Sequence, residues 1–341
     1  MKINILYIGQ YTDGTTSKMR ADQIINILSP SHHKIIDIHI PFYNSSRVIR
    51  TLGFRFKKGP LIKKINKYII ENIESCNYDL IWVDKGIFIT KDTTNVLRKK
   101  ARTLVHFTPD MAFYENKSKF FIESLPLYDF AITTKTQEIS LYNNYISPYK
   151  LIKATQGYDF NTHIPCHLFS EKENSITFIG LAETNRFEII ERLINNNIHV
   201  KVAGKGWKHF IAKHKQNPCL KFYGEILVGN KYAELISSSR FSIGMLSKRF
   251  TELHTTRTFE IPACGTALIT ERNKETSSFY NDDEAIFYTT TDEMIEKIKY
   301  YNEHLDELEV LTRKGLKRVE KDKRDYYNIL QGIIEVINIS N

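Results

Sequence analysis

The chain has 341 residues, which exceeds one ordinary hydrophobic core and suits two domains of about 150 residues each. Hydrophobic residues make up 42% and charged residues 26%, and no stretch approaches the roughly 18 consecutive apolar residues of a membrane span, so we expect a folded protein without a transmembrane helix. The net charge of +9 favours phosphate-bearing partners: nucleotides, nucleic acid or anionic lipid.

The amino-terminal residues and the cysteines indicate a cytoplasmic protein. Residues 1–9 contain one charge, a short apolar run and no small-residue cleavage site, which predicts a first strand rather than a signal peptide. The cysteines have neither paired metal-ligand spacing nor the density of a disulfide scaffold, so we expect reduced thiols. They are Cys76, Cys166, Cys219 and Cys264.

The first half alternates short β-branched, apolar runs with segments that carry apolar residues at three- and four-residue spacing. This alternation predicts βαβ units on a parallel sheet that helices cover on both faces. The predicted strands lie near residues 3–8, 34–40, 80–83, 103–107, 130–133 and 151–154, and the predicted helices include 17–28, 61–73 and 93–99.

The second half repeats this alternation and therefore predicts a second parallel sheet. Ligands of such sheets bind at the carboxyl ends of the strands, so the chemistry is expected in strand-to-helix loops. The predicted strands lie near residues 175–179, 199–203, 220–223, 241–245 and 267–270, and the predicted helices include 186–195, 231–238 and 257–264.

The domain limits follow from two features. Residues 156–165 are turn formers without periodicity and read as an interdomain linker. After the last predicted strand, three consecutive helices are expected at 292–303, 305–319 and 326–339, long enough to return to the first domain. The expected division is a first domain at 1–165, a second at 166–322, and a C-terminal helix at 323–341 that packs on the first domain.

The segment from Arg257 to Gly265, Arg-Thr-Phe-Glu-Ile-Pro-Ala-Cys-Gly, carries the strongest functional signal. Thr255 or Thr256 is expected to cap the helix, which leaves backbone N–H groups for a diphosphate. Glu260 is placed to accept two hydrogen bonds from vicinal ribose hydroxyls, and Arg257, one turn earlier, to contact phosphate. The alternative is that Arg257 and Glu260 form only a surface pair.

This helix resembles the signature of the glycosyltransferase group-1 superfamily, in particular its branch of spore-maturation (CgeB-like) proteins, which has the pattern Arg-x-Phe-Glu-x-x-Ala-x-Gly. The resemblance implies an α/β GT-B fold: two Rossmann-like domains whose parallel sheets face each other across a cleft, with C-terminal helices that cross back. It also implies transfer of a sugar from a nucleotide-diphosphate donor. The matching segments are 178–180, 202–207, 222–225 and 298–301, with weaker matches at Gly9, the Asp110 loop and the linker.

Glu252 lies eight residues before Glu260, the spacing found in retaining group-1 enzymes. By resemblance Glu252 contacts the donor sugar, which favours retention of the anomeric configuration. The aromatic-glycine pair usual between the two carboxylates is missing, and the alternative is an exposed loop carboxylate.

The remaining donor-side residues are glycines, hydroxyls and cations. Glycines after predicted strands allow close approach of the backbone to a base or phosphate. Arg186 stands where the superfamily places a phosphate-binding cation, and Lys248 or Arg249 is expected to complete the pair. Besides Glu260, the expected donor-binding residues are Thr256, Thr258, Gly180, Arg186, Gly204, Lys205, Gly206, Gly224 and Lys248.

In the first domain, residues 9–16 join strand one to a helix that carries Arg20. This loop resembles the one by which the superfamily's first domain meets donor phosphate and acceptor, and it lacks Gly-x-Gly-x-x-Gly, which argues against a dinucleotide-binding oxidoreductase. His106 or Asp110, after another strand, is expected to orient an acceptor hydroxyl or take its proton; a buried, satisfied histidine is the alternative for His106. The expected loop residues are Gly9, Thr12, Gly14 and Arg20.

From Arg47 to Lys67 the chain has eight basic residues and no acidic one, interleaved with apolar side chains. This pattern predicts peripheral contact with an anionic membrane at its inner face, where the acceptor is lipid-linked. A solvated basic surface is the alternative. Nucleic acid is not expected as a partner, because no base-reading module accompanies the patch.

The sequence therefore predicts a metal-independent glycosyltransferase without a cofactor, acting on a glycan or lipid-linked acceptor in bacterial surface polysaccharide or lipopolysaccharide synthesis. No Asp-x-Asp pair or histidine-carboxylate cluster with ligand spacing occurs, so Arg257, Arg186, Lys205 and first-turn amides are expected to stabilise the departing diphosphate. The alternatives are a nucleotide-sugar epimerase on the same fold, a non-catalytic binding protein and a nucleic-acid-binding protein.

Overall fold

The computed structural model describes residues 3–114 and 116–339 of the chain. The chain forms two compact units. The first unit comprises Met1–Thr155 together with Tyr326–Asn341, and the second unit comprises Gln156–Asp325.

The first unit is built on a six-stranded parallel sheet with the strand order β2-β1-β3-β4-β5-β6. Its central strands are buried on both faces, which explains their unbroken apolar runs. The strands are β1 (Asn4–Gly9), β2 (His32–Asp37), β3 (Tyr78–Asp84), β4 (Ala101–Thr108), β5 (Phe130–Thr133) and β6 (Leu151–Lys153).

Helices cover both faces of this sheet. The first begins where the Thr15 side chain accepts a hydrogen bond from the Lys18 N–H and ends at Ser29 in the left-handed conformation. The helices are α1 (Thr16–Leu28), α2 (His39–Tyr43), α3 (Arg47–Phe56), α4 (Pro60–Asn72), α5 (Lys91–Lys100), α6 (Lys119–Ser124), α7 (Ile139–Tyr142) and the C-terminal α15 (Tyr326–Ile337), which packs against α1.

The second unit contains another six-stranded parallel sheet, with the order β12-β11-β10-β7-β8-β9. The strands are β7 (Glu173–Ile179), β8 (Val200–Ala203), β9 (Leu220–Phe222), β10 (Ser239–Gly244), β11 (Ala267–Glu271) and β12 (Ile286–Tyr288). The helices that cover this sheet are α8 (Thr184–Asn195), α9 (Lys208–Lys213), α10 (Asn230–Ser237), α11 (Arg257–Ala263), α12 (Thr276–Phe279), α13 (Thr291–Glu303) and α14 (Leu305–Lys321).

All strands predicted from the sequence are present, and β12 is an addition. It has three residues and completes the edge of the sheet by pairing with β11. The sequence pattern did not indicate this strand.

The segment predicted as a linker folds with the second unit. Tyr158 pairs in parallel with Asp325, and its N–H donates to the Arg324 carbonyl oxygen at 3.2 Å. The chain consequently changes unit after Thr155 and again after Asp325, whereas the predicted limits were 165 and 322. The first two residues of predicted domain 1–165 and the last two of segment 323–341 lie outside the described residues.

No helix within the described part of the chain is long and apolar enough to cross a membrane. The apolar side chains instead form cores on both faces of each sheet. Loops at the carboxyl ends of the strands are thereby left for binding.

Candidate functional site

Glycines meet at the carboxyl ends of β7 and β8. Gly204 has φ +131°, and a Cβ added to it would lie 2.0 Å from the Gly180 carbonyl oxygen, so only glycine fits there. The Gly204 N–H donates to the carbonyl oxygen of Gly224, which itself has φ +103°. The Trp207 indole N–H donates to the same Gly180 oxygen at 2.9 Å. Three of the predicted donor-site glycines therefore hold neighbouring loops at the edge of the second sheet.

Glu260 lies on α11 with only 3% of its surface exposed, and its carboxylate does not point into bulk solvent. Its Oε2 accepts a 2.6 Å hydrogen bond from the Tyr232 hydroxyl, and His163 Nε2 lies 3.7 Å from its Oε1. Burial and then the charge of Glu260 raise the pKa of Tyr232 well above its usual value, so the phenol stays protonated and donates. A carboxylate offers about four lone-pair positions, so Glu260 can accept further hydrogen bonds from a ligand.

Arg257 and Arg186 form a local concentration of positive charge. Arg186 is buried, its Nη1 donates to a backbone carbonyl oxygen in the loop after β7 (2.8 Å), and the same atom lies 3.2 Å from Glu183 Oε1. Burial, followed by the charge of Arg257, lowers the pKa of Arg186. Arg257 Nε is buried and has no hydrogen-bond partner among the described residues. The Nη atoms of Arg186 are therefore held by the protein itself, and the Nε of both arginines is a buried donor without a partner among the described residues.

Glu252 lies close enough for its charge to act on Arg186. Its Oε2 also accepts a hydrogen bond from the Ser247 N–H at 3.2 Å, which orients the carboxylate in the loop after β10. Glu252 and Arg257 therefore both lie near Arg186. The role of Glu252 towards a donor sugar stays a prediction.

The amino end of α11 differs from the prediction. Thr256 already has helical dihedral angles (φ −56°, ψ −38°), and its side chain makes no capping hydrogen bond. Thr255 Oγ1 has no partner within the described ranges, and the Thr255 N–H donates to Thr258 Oγ1 at 3.2 Å. The prediction that Thr255 or Thr256 caps the helix with its side chain is therefore wrong. The Thr258 N–H donates to the Thr255 carbonyl oxygen, and the N–H groups of Phe259 and Glu260 donate to the Thr256 carbonyl oxygen, so these three amides are already paired. With seven residues α11 has a small dipole, and cations must carry most of the stabilisation of an anion.

The remaining predicted cations lie apart from this cluster or at its margin. The Lys248 ammonium is paired with Glu271, so the prediction that Lys248 completes the pair with Arg186 is not supported by the geometry. Arg249 is the neighbouring cation whose charge acts on Arg186. Lys205 has an exposed side chain and lies in the same turn as Gly206, which has φ +90°.

The predicted loop residues of the first unit surround a buried ion pair. Arg20 on α1 donates to both carboxylate oxygens of Asp84 at the end of β3, at 2.9 and 3.1 Å. Burial, the largest single effect, would lower the Arg20 pKa, but the charge and hydrogen bonds of Asp84 together with Tyr326 and Tyr7 outweigh it, and the pKa is raised. A Cβ on Gly9 would lie 2.9 Å from the Asp84 Cβ, so glycine lets β1 approach β3 here. Gly14 has φ +75°, and the Thr12 carbonyl oxygen accepts a hydrogen bond from the N-cap residue of α1.

His106 is enclosed rather than available to a substrate. Its Nε2 is 3.0 Å from the Lys85 carbonyl oxygen, and its ring packs against Phe121 and Tyr128 with centroid distances of 4.8 and 5.2 Å. Burial lowers the pKa of His106 to about 4. The predicted role in orienting or deprotonating an acceptor is therefore not supported, and the alternative of a buried histidine describes it.

Asp110 lies at the same edge of the sheet with its carboxylate partly exposed. Its Oδ2 is 2.5 Å from Lys85 Nζ and accepts a hydrogen bond from Asn116 Nδ2 at 3.2 Å. Burial, the largest single effect, would raise the pKa of Asp110, but the charge and hydrogen bond of Lys85 together with the charges of Lys135 and Arg20 outweigh it, and the pKa is lowered. A carboxylate of lowered pKa is a weak base, so Asp110 is better suited to accept a hydrogen bond than to take a proton.

Two side chains that position Glu260, those of Tyr232 and His163, were not predicted from the sequence. Tyr232 precedes Glu260 by 28 residues, and His163 belongs to the segment interpreted as a linker. His163 Nδ1 accepts the Asp159 N–H at 3.0 Å, which leaves Nε2 as the protonated nitrogen of the neutral ring facing Glu260. No local spacing indicates these contacts, because they arise from packing between distant segments.

Within the described residues, one group of three side chains has atoms close enough to share a metal ion: His32, Glu74 and Cys76. It lies at the amino ends of β2 and β3, the edge opposite to the strand ends discussed above. The expectation that no metal is essential stays a prediction.

Comparisons with known proteins cover the part of the chain that contains these residues. Residues 186–334 match the sequence model of a family described as glycosyl transferase-like, and this segment includes both Glu260 and the arginine cluster. The segment is glycosyltransferase group-1-like. The sequence matches no curated protein.

Solved structures are similar over nearly the whole chain. They include HepE from Anabaena in complex with UDP and glucose, with a TM-score of 0.66, 14% identity and coverage of 98% of this chain and 99% of that chain. Sucrose-phosphate synthase from Thermosynechococcus elongatus has a TM-score of 0.68 and 11% identity, covering 99% and 98% of the two chains. A glycosyltransferase from Rickettsia africae has a TM-score of 0.67 and 14% identity, with the same coverage. The likeness confirms the predicted α/β fold with two parallel sheets, that of GT-B glycosyltransferases.

Proposed function

We propose that this protein transfers a sugar from a UDP-sugar to a hydroxyl group of a glycan or lipid-linked acceptor. The observation that supports this most directly is the buried Glu260 carboxylate, fixed by Tyr232 beside an arginine with an unused donor. The structurally similar HepE was crystallised with UDP and with UDP-glucose, which favours uridine diphosphate as the carrier.

In this proposal Glu260 accepts hydrogen bonds from the two ribose hydroxyls of the nucleotide. The close-packed backbone at Gly180 and Gly204 then receives the base or the diphosphate, because no side chain intervenes there. Arg257 contacts the diphosphate, while Arg186 and Lys205 add positive charge nearby.

The reaction follows from the charges of this site. The acceptor oxygen forms a bond to the anomeric carbon as the bond from that carbon to the diphosphate oxygen breaks. The electron pair of the broken bond leaves with the diphosphate. The acceptor proton passes to the released nucleotide or to water. Since the transition state has oxocarbenium character while charge builds on the diphosphate, Arg257 lowers the barrier without an essential metal ion. Glu252, beside these cations, contacts the donor sugar, and we infer retention of configuration.

The biological setting is also part of the proposal. The spore-maturation (CgeB-like) branch, a cytoplasmic location and synthesis of bacterial surface polysaccharide or lipopolysaccharide remain inferences from the resemblance. Peripheral contact with the inner face of an anionic membrane through residues 47–67 is inferred from eight basic residues without an acidic one.

The donor site is tested by replacing Glu260 with Gln, which keeps the size of the side chain and still accepts from Tyr232. A panel of UDP, UDP-glucose and the ADP and GDP counterparts is measured by thermal shift and calorimetry. We expect the wild type to bind a UDP-sugar and E260Q to bind it about 10²-fold more weakly, because two charge-assisted hydrogen bonds are lost.

The matched control is Glu234→Gln on α10, an exposed glutamate of the second unit. It should bind the donor like the wild type, and both variants should unfold at the wild-type temperature without ligand. Equal donor affinity in E260Q and the wild type would remove Glu260 from the site. Absence of UDP release in the presence of donor would leave a binding protein instead of a transferase.

A further inference from the structure

A cavity of about 220 Å³ lies entirely within the first unit. It opens at the carboxyl ends of β1, β2 and β3, the edge at which parallel sheets bind their ligands. None of its lining belongs to the donor site in the second unit.

One wall of the cavity is aromatic. Phe42 and Phe54 both contact Phe88, with ring centroids 6.2 and 6.0 Å apart, and Ile38 completes the apolar surface. Such a wall can take hydrocarbon, which an inorganic anion lacks.

The same cavity also contains polar side-chain atoms without a hydrogen-bond partner among the described residues. Arg20 is 99% buried and lines the cavity; two of its nitrogens bind Asp84, while Nη1 has no partner among the described residues. His39 also lines the cavity, and its Nδ1 is likewise buried without a partner in that part of the chain. An unpaired buried polar atom is costly, and a ligand oxygen would satisfy it. Positive Arg20 and neutral or protonated His39 together suit an anionic group.

Helix α3 contributes Phe54 to this cavity, and other apolar side chains of α3 form a stripe that is exposed on the surface. Gly53 is the only buried residue of α3, and a Cβ there would lie 2.6 Å from Leu61, so close backbone contact seats α3 on α4. Val48, Leu52 and Phe56, at four-residue spacing, are 67%, 51% and 57% exposed. Phe54 lies on another side of the helix, two residues from Leu52 and from Phe56.

The surroundings of that stripe are exclusively basic. Positions 38 to 70 contain no aspartate or glutamate, and α3 itself contributes Arg47, Arg50 and Arg55. An apolar stripe flanked by cations is complementary to the interface of an anionic bilayer, in which its side chains reach the acyl chains.

We propose that this cavity is the acceptor site and that the acceptor is an anionic amphiphile anchored in the membrane on which α3 rests. Its phosphate-bearing head meets Arg20 and His39, and the first part of its hydrocarbon chain lies along Phe42, Phe54 and Phe88. This proposal rests on the proposed transferase function, which supplies the sugar for a hydroxyl group of that head.

The test compares Phe54→Glu, which puts a carboxylate on the cavity wall, with Phe56→Glu, which puts the same charge on the outer stripe. Both positions are exposed, so the full-length variants should fold. Decyl phosphate below its micelle concentration is the cavity probe, measured by calorimetry. Vesicles of phosphatidylcholine, with or without phosphatidylglycerol, are the membrane probe, measured by flotation.

We expect F54E to weaken decyl phosphate binding at least about tenfold and F56E to change it less than about twofold. F56E should instead lower binding to phosphatidylglycerol-containing vesicles at least about tenfold, and Ile226→Glu in the second unit should change neither. Wild-type protein that binds decyl phosphate no better than inorganic phosphate would overturn the amphiphile, and equal affinity in F54E would overturn the cavity. UDP-sugar binding is measured on the same samples. A wild-type protein that does not bind a UDP-sugar would contradict the proposed transferase function, whatever the result with decyl phosphate.

Discussion

Tyr232 fixes the direction of the Glu260 carboxylate before a ligand binds. Its hydroxyl is 2.6 Å from Oε2, and burial keeps the phenol protonated because it raises the Tyr232 pKa. The carboxylate therefore loses little rotational freedom when a nucleotide arrives. Preorganised groups of this kind increase affinity, since the ordering cost is met during folding.

At the same scale, His106 makes the first unit sensitive to acid. Its pKa in the folded chain is about 4, below the value of about 6.5 expected after unfolding, so the unfolded chain binds more protons between these values. Stability is therefore lost as the pH falls from about 6.5 to about 4, by as much as about 3 kcal/mol.

We expect His106→Gln to lose that part of the pH dependence. The measurement is urea unfolding at several pH values, followed by the fluorescence of Trp82 in a Trp207→Phe background, because Trp82 lies in β3 of the first unit. Identical acid dependence in H106Q and its parent would show that His106 does not titrate in this way.

Arg257 gives a second prediction for a single side chain. Arg257→Gln should lower the transfer rate about 10²- to 10³-fold, since it removes a positive group from the departing diphosphate. Arg192→Gln is the control: Arg192 is an exposed arginine on α8, paired with Asp292. Rates of UDP release at saturating donor are compared, and a loss of equal size in both variants would argue against a specific role for Arg257.

At the scale of elements, the loops after β8 and β9 each contain a glycine of positive φ, Gly204 and Gly224, and the two are required for different reasons. Gly204→Ala introduces both a positive-φ strain and a Cβ 2.0 Å from a carbonyl oxygen, whereas Gly224→Ala introduces only the strain, because nothing lies within 4 Å of its added Cβ. We expect Gly224→Ala to cost about 1–2 kcal/mol and Gly204→Ala to cost clearly more. Chemical denaturation monitored by Trp207, whose indole closes this turn, provides the comparison. Equal losses would mean that the close contact is relieved by a backbone shift.

The elements also show which information is local. The central strands were predictable because they are apolar runs buried on both faces, and the helices because their apolar residues repeat at helical spacing. The amino end of α11 was not predictable, since Thr255, Thr256 and Thr258 all carry suitable hydroxyls, yet backbone carbonyl oxygens of Thr255 and Thr256 accept the first-turn N–H groups. The contact of Tyr232 with Glu260 joins α10 to α11, and no spacing along the chain encodes it. Sequence thus indicated the signature helix but not the side chains that orient it.

For the whole molecule, α15 contributes to the stability of the first unit. Leu330 is fully buried against the first sheet together with Ile333 and Ile337, whereas Val336 on the same helix is 62% exposed. We expect Leu330→Ala to destabilise the first unit by about 2–5 kcal/mol and Val336→Ala by less than about 0.5 kcal/mol. Hydrogen exchange of the amides of β1 and β3 reports this unit alone. Faster exchange confined to the second unit in L330A would contradict the assignment of α15.

The return of α15 to the first unit has a consequence for biosynthesis. On the ribosome, the strands of the first sheet end at Lys153, and the whole second unit is translated before α15 begins at Tyr326, so this sheet is made long before one of its covering helices. Until α15 is made, α1 exposes an apolar surface. This surface can cause aggregation of the nascent chain while the second unit folds. A slow stretch of translation near the end of the message would lengthen this vulnerable interval.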